Sequence, residues 1–250
     1  LNTGPAILAA SIFCEKTNPE AILLVAPSDH LISDQRSFQE AIGRGLKHVM
    51  EGEIVTFGAK PTRPEVGFGY LQVGSRVTTQ DMKVLKFIEK PKLALAKKMF
   101  ETGQYLWNSG IFMFRAKDML AAFKKFQKKM FKSIKQSVSS ARQDLNFLRL
   151  EETHWGENQN ISLDYAIMEK LSNITAIPIF GWNDLGEWNS IYEDQKQLSG
   201  TVVTSNNATA IDCENVMLRS EASNLELVGL GLKDIIAISP PDAVLITDKK

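Results

Sequence analysis

AILLVAPSDHLI (Ala21–Ile32) is unbrokenly apolar from Ile22 to Ala26 and is cut at Pro27 by a polar turn. A short apolar run bounded by a turn signal reads as a buried strand, here one that ends in polar residues. Upstream, Pro5–Lys16 has the spacing of a helix with proline near its start. Downstream, Phe38–Met50 is helical in spacing and Ile54–Ala59 is a second buried strand. RPEVGFGYLQVG (Arg63–Gly74) is a Gly-rich entry into a strand at Tyr70–Val73, and KVLKFIEKP (Lys83–Pro91) is a strand stopped by proline. A Lys/Ala/Leu helix, a strand at Gly110–Phe114 and a helical stretch from Lys117 to about Lys135 follow. Strands alternating with helices predict a layered α/β domain.

From Thr201 the texture changes to short runs (ATAID, NVMLRS, LELVGL, DIIAISPP, AVLITD) separated by Asn, Ser, Gly and Pro. The expected organisation is a main domain over residues 1–198 and a small β-rich region over 199–250. With 29 Lys and Arg against 29 Asp and Glu, the 250-residue chain has no net basic field of the kind nucleic-acid binding uses. Small molecules or protein surfaces are the expected partners. Cys14 and Cys213 lack metal or redox spacing and read as reduced, packed thiols, with a disulfide left open. No apolar run has the length of a membrane span, and the first residues lack the basic start of a signal peptide, so a cytoplasmic protein is expected.

Ligands of open α/β sheets bind beyond the carboxyl ends of the strands. Asp29 sits past such an end, where it either holds Mg²⁺, a cation that takes one or two carboxylates and fills its shell with water and phosphate, or caps a turn. Asp184, in GWNDLGEW (Gly181–Trp188) after the apolar AIPIF (Ala176–Phe180), is a second carboxylate in a comparable place, with an N-cap as its plain alternative. In FIEKP (Phe87–Pro91), alternation puts Phe87 and Glu89 on one face and Ile88 and Lys90 on the other. Lys90 is placed to clamp a phosphate and Glu89 to accept from sugar hydroxyls, or the two form an ordinary exposed pair. Gly67 and Gly69 either admit a ligand to the backbone or shape a turn. Asn108, in YLWNSGIFMFRA (Tyr105–Ala116), is a turn former before a strand or an amide held out to hydroxyl groups.

VAPSDHLI, FGAKPTRPEVGFGYLQVG, FIEKP, YLWNSGIFMFRA, SLDYAIMEK (Ser162–Lys170) and GWNDLGEW occur here in the order and approximate spacing of mannose-1-phosphate guanylyltransferases, the bacterial GDP-mannose pyrophosphorylases. The ending GLKDIIAISPPDAVLIT (Gly231–Thr247) also resembles that family's C-terminal β region, so the resemblance covers nearly the whole chain. It implies a Rossmann-like nucleotide-diphospho-sugar transferase fold with a mixed, mostly parallel sheet. The implied reaction is Mg²⁺-assisted attack of mannose 1-phosphate on the α-phosphorus of GTP, giving GDP-mannose and pyrophosphate. Carried over by motif, Asp29 and Asp184 would hold the metal, Lys90 the sugar's phosphate, and Glu89 and Asn108 the mannose hydroxyls. Gly69 would offer its backbone N–H to the same substrate. Tyr70, Trp107, Trp182 and Trp188 are assigned to packing, His30 to a structural role, and Asp164 and Glu169 to orienting the site or stabilising the fold, with no chemical role. A homodimer is compatible with this reading.

The chain also departs from the family, whose Gly-rich first strand and loop, with the Arg and Lys that grip the triphosphate, precede the point where this sequence starts. Leu1 stands where an Arg is usual. Either residues precede Leu1 in the parent protein or this polypeptide is catalytically incomplete, and the first is expected. The competing readings are a non-catalytic sugar-nucleotide-binding relative and a nucleotidyltransferase for another sugar 1-phosphate. Some relatives carry a C-terminal mannose-6-phosphate isomerase domain, which leaves bifunctionality of the parent protein open.

Overall fold

The computed structural model describes residues 2–74 and 79–249; Leu1 lies outside them. In chain order the first elements are α1 (Thr3–Thr17), β1 (Ile22–Val25), β2 (His30–Ile32), α2 (Gln35–Met50), β3 (Ile54–Ala59), β4 (Tyr70–Val73), β5 (Met82–Ile88), α3 (Leu93–Thr102) and β6 (Tyr105–Arg115). Then come α4 (Ala116–Phe126), α5 (Lys128–Ser139), the hairpin β7 (Arg142–Asp144) and β8 (Phe147–Arg149), α6 (Glu152–Gly156), α7 (Leu163–Ala166), β9 (Ile174–Ile179), β10 (Trp182–Asp184) and α8 (Trp188–Ser199). The chain closes with β11 (Val202–Thr204), β12 (Ala208–Ile211), β13 (Val216–Ser220), β14 (Leu227–Leu230), β15 (Ile235–Ser239) and β16 (Leu245–Asp248). By its internal contacts it divides into two units: residues up to Ser28 with Ile32–Trp182, and Asp29–Leu31 with the chain from Asn183 onward.

The first unit is the α/β layer the alternating pattern predicts. Its sheet has the order β1-β6-β3-β9-β5-β4, with β4 also pairing to β6. The sheet is mixed, but β3–β9 is its one parallel pair among the described residues. The expectation of a mostly parallel sheet is therefore corrected. The cause is β6, which runs antiparallel between β1 and β3 and separates two strands of like direction.

One face carries the larger core, where Leu23, Leu71, Phe87, Leu106, Phe112 and Phe114 meet apolar residues of α1, α4, α5 and α7. Burial of such side chains contributes roughly 1.5–3 kcal/mol each and is what holds the layers together. On the other face α2 packs against β3, β6 and β9 around Val55, Phe57, Met113 and Ile177. Asp34 caps α2 by accepting from the Ser37 N–H at 2.9 Å.

Strand β1 is not buried on both faces as its sequence suggests. Leu23 and Val25 pack on the core, whereas Ile22 and Leu24 on the opposite face are 37% and 43% exposed. Among the described residues β1 pairs with β6 and stands first in the strand order.

In the second unit β11, β13 and β15 stack in parallel, as do β12 and β14, so successive segments coil about a small core of Ala208, Val216, Leu218 and Ala237, while Val203, Met217, Ile236 and Ile238 form a separate cluster with Tyr192 of α8. The corners fall on Asp212, Asn215 and Asp234, whose positive φ angles suit Asp and Asn better than other side chains. Strand β16 returns antiparallel against β15. Cys14 and Cys213 are both free thiols, and Cys213 donates to the carbonyls of Ile211 and Gly229.

Candidate active site

Strand β5 ends at Ile88, so Glu89 and Lys90 form its exit. Alternation continues one residue further: Phe87 is buried and the Glu89 side chain is 11% exposed on the same inner side, while that of Lys90 is 61% exposed. Lys90 has φ 44°, the left-handed region that costs a non-glycine residue on the order of 1 kcal/mol. That turn carries the chain into the buried Pro91 and leaves the Lys90 ammonium 4.0 Å from the Glu89 carboxylate. Glu89 Oε2 is buried and has no hydrogen-bond partner among the described residues. Burial, and then the Asp164 carboxylate, push the Glu89 carboxyl up to about 7, with Lys90 pulling it down and Glu169 adding to the rise.

Asn108 is not in a turn before a strand. It lies inside the continuous strand β6, which corrects the reading of Asn108-Ser109-Gly110 as a strand entrance. Opposite Thr56–Gly58 of β3 the register slips, so that Thr56 faces Phe112 while Gly58 faces Asn108. Gly110, at φ 71°, takes up the extra length as a bulge, a conformation that glycine adopts without strain. Asn108 is consequently buried with an ordered amide. Its Oδ1 accepts from the Thr56 hydroxyl at 3.1 Å and the Gly110 N–H at 3.3 Å, and its Nδ2 donates to Asp164 Oδ1 at 3.0 Å. Asp164 stands on the short helix α7 behind its cap Ser162. Burial raises its carboxyl above the usual range, against the opposing pull of hydrogen bonds from the backbone, Asn108 and Ser162.

Gly69 joins these residues from a third strand entrance. Its carbonyl accepts from the Asn108 N–H at 2.8 Å, and a Cβ there would stand 2.5 Å from Glu89 Oε2 and 3.4 Å from Asn108 Cβ. The missing side chain is what lets the Glu89 carboxylate sit beside Asn108. Gly67 has a different task, because its N–H is already given to Glu65 Oε1 at 3.0 Å. Tyr70 does more than pack: its hydroxyl donates to Glu65 O and accepts from Glu65 N, both at 2.9 Å, tying down the Arg63–Gly67 loop. Phe68 lies edge-on to both Trp107 and Trp182, and Arg63 stacks over the Trp107 ring.

The two aspartates belong to the second unit. Asp29 is exposed in the turn before β2, and Asp184 is the last residue of β10, the strand that pairs with β2. At the other end of this ribbon the Ser33 N–H donates to Gly181 O at 2.9 Å. The two strands are thus antiparallel, and Asp29 and Asp184 lie at the same end. Asp184 is not the N-cap of α8, a position held by Glu187; its Oδ1 instead accepts from the Gly186 N–H at 2.8 Å. Two hard carboxylates at one ribbon end suit Mg²⁺ in number and type. Among the described residues no group of three or more His, Cys, Asp or Glu forms a metal cage.

Motif spacing thus brings Gly69, Glu89, Lys90 and Asn108 to one place. It misses Thr56, which donates to Asn108; Asp164 and Glu169, expected to orient the site or stabilise the fold, lie beside it, Asp164 accepting from Asn108 Nδ2 at 3.0 Å and Glu169 from the Glu89 N–H at 3.4 Å. A polar Thr56 in the otherwise apolar strand Ile54–Ala59 is the signal that was available. Among the described residues no helix is long and apolar enough to cross a membrane.

A family model described as nucleotidyl transferase matches residues 1–200. The xanthan biosynthesis protein XanB of Xanthomonas campestris is 35% identical over 247 residues, covering 98% of this chain and 52% of its own. A mannose-1-phosphate guanylyltransferase of Salmonella montevideo is 35% identical over 254 residues, covering 99% of this chain and 53% of its own. The chain therefore spans about half the length of the curated relatives it matches. A crystal structure described as mannose-1-phosphate geranyltransferase from Thermus thermophilus superposes with a TM-score of 0.84 at 26% identity, covering 99% of this chain and 71% of that one.

Proposed function

Since the chain belongs to the nucleotidyl transferase family, we propose that it serves the synthesis of GDP-mannose and pyrophosphate from GTP and mannose 1-phosphate. The observation that carries the reading is the cluster of Glu89, Asn108 and Gly69 beside the Lys90 ammonium. It offers a sugar phosphate one cation, one carboxylate acceptor and one amide donor. The relatives named for this activity support the choice of sugar and nucleotide.

In this reaction an oxygen of the mannose 1-phosphate forms a bond to the α-phosphorus of GTP while the bond to the bridging oxygen breaks, and the electron pair leaves with pyrophosphate. Such displacements depend on positioning and charge neutralisation more than on covalent help from the protein. Lys90 balances the charge of the sugar's phosphate, Glu89 accepts from a hydroxyl, Asn108 donates to one, and the Gly69 N–H is a further donor. Asp29 and Asp184 would hold Mg²⁺, which when bound supplies charge neutralisation to phosphate oxygens. The same reading puts the enzyme in the cytoplasm, where nucleoside triphosphates are made, and admits a homodimer.

The test is a pyrophosphate-release assay with Mg²⁺, pairing mannose, glucose and N-acetylglucosamine 1-phosphates with GTP, UTP and dTTP. Preference for mannose 1-phosphate with GTP is expected. Faster turnover of another pair would overturn the substrate assignment.

A further inference from the structure

We infer that Asp164 is a positioning residue that locks the polarity of the Asn108 amide, so that Asn108 meets a ligand only as a hydrogen-bond donor beside the Glu89 carboxyl. The inference rests on the sugar-phosphate reading of this site and adds the device that sets its specificity.

Asn108 carries an acceptor and a donor at the two ends of one planar group, and either end can face a ligand. Here the Oδ1 end is filled by two donors, the Thr56 hydroxyl and the Gly110 N–H. Gly110 N–H has no acceptor capacity, and an ionised Asp164 has no donor, so the amide is held from both ends in one orientation. One Nδ2 hydrogen goes to Asp164; the other has no partner among the described residues and remains for a ligand. Across Gly69 stands Glu89 Oε2, buried and without a hydrogen-bond partner among the described residues. A sugar hydroxyl both accepts and donates, and a donor beside an acceptor is the pair that satisfies it. Were the amide to turn over beside an ionised Glu89, two acceptors would face the hydroxyl and one of them would stay unpaired, a cost comparable to a lost hydrogen bond.

Asp164 lies 56 residues from Asn108 in sequence and comes from a different element, so the lock is built by the tertiary fold. Thr56 alone is a weaker guide, because its hydroxyl also lies 3.4 Å from the Ile111 carbonyl and can turn toward it. A charged acceptor holds an amide N–H more firmly than a neutral one.

Affinities of wild type, Asp164→Ala and Asp164→Asn for mannose 1-phosphate and for GTP are measured by titration calorimetry, alongside ¹⁵N spectra of the Asn108 side chain. Asp164→Asn can still accept from Nδ2 through its own carbonyl oxygen while the donor-only Gly110 N–H keeps Asn108 Oδ1 in place, whereas Asp164→Ala offers Nδ2 no acceptor. The expectation is that Asp164→Ala weakens mannose 1-phosphate binding about tenfold, the scale of one hydrogen bond. Asp164→Asn stays near wild type, and GTP binding is unchanged in both. In the spectra one Asn108 amide proton exchanges slowly in wild type and in Asp164→Asn, and this protection is lost in Asp164→Ala. Wild-type protein that binds no mannose 1-phosphate would sink the functional reading while leaving the spectral test of the lock intact. Unchanged sugar-phosphate affinity in Asp164→Ala overturns the inference, and so does an equal loss for both ligands, which marks a merely structural role. Equal weakening by Asn and Ala also overturns it, since the charge would then touch the ligand directly. Where Asp164→Ala folds poorly, absence of a protected Asn108 proton in wild type decides against the lock.

Discussion

A Cβ placed on Gly69 would lie 2.5 Å from Glu89 Oε2, so the carboxylate occupies space that only glycine leaves free. The clashing atom is the far end of a flexible side chain, and it can swing away at little cost to the fold. Gly69→Ala is therefore expected to move the thermal midpoint by only a few degrees, about 1 kcal/mol or less for a domain of this size. Binding of mannose 1-phosphate should fall by tenfold or more on the order-of-magnitude scale of a displaced polar contact. Parallel thermal melts and calorimetric titrations check this. A large stability loss with intact binding would mean that Gly69 serves the fold and not the site.

Glu89 supplies a pH signature. Its folded-state value of about 7 lies above the ordinary 4.5, so the protonated form is the one favoured by folding. That stabilisation is complete below about pH 4.5 and is lost as pH rises through about 7. Groups facing it are Asp164 and Glu169, which sustain the rise, Lys90, which opposes it, and Tyr165, itself shifted upward first by burial and then by Glu89. In urea titrations at pH 4.5 and 8, wild type should lose stability relative to Glu89→Gln by on the order of 2–3 kcal/mol. A pH-independent difference would place Glu89 in ordinary solvent. The same substitution should weaken sugar-phosphate binding, making this a residue kept at the expense of stability.

Much of the site was legible and much of its support was not, for a physical reason that these residues illustrate. Strand β4 begins and ends where the sequence puts it, at Tyr70 and Val73, because a short apolar run after glycines is a local signal. Glu89 and Phe87 share a face because alternation is local too. The Asn108–Asp164 bond, the bulge at Gly110 and the insertion of β6 between β1 and β3 depend on which distant segments meet, and periodicity carries no information about that. The exposure of Ile22 and Leu24 belongs to the same class: an apolar run shows that a strand can be buried, and the neighbours decide whether each face is.

Asn108→Ala removes the acceptor of Thr56 and Gly110 as well as the partner of Asp164. Leaving these buried groups unpaired should cost roughly 1–3 kcal/mol of stability. Mannose 1-phosphate should bind more weakly while GTP affinity holds if, as proposed, the amide donates to a sugar hydroxyl. Equal losses for the two ligands in side-by-side titrations would show that Asn108 only orders the bulge.

Asp184 and Asp29 provide the last test. Oδ1 of Asp184 accepts from the Gly186 N–H at 2.8 Å, which fixes the carboxylate and leaves Oδ2 to a cation. Asp184→Asn keeps an oxygen able to accept from Gly186, so the turn before α8 should survive while the charge is lost. Mg²⁺ gains most of its protein-derived binding from one or two carboxylates, the rest of its shell being water and phosphate. Asp184→Asn and Asp29→Asn are each expected to weaken Mn²⁺ binding in the presence of GTP, read by electron paramagnetic resonance, by about tenfold or more, as loss of a direct charged ligand does. Thermal midpoints should stay near wild type, since both side chains lie outside the buried cores. Mn²⁺ affinity equal to wild type in either variant would remove that aspartate from the metal site and return it to the turn-forming role its sequence also allowed.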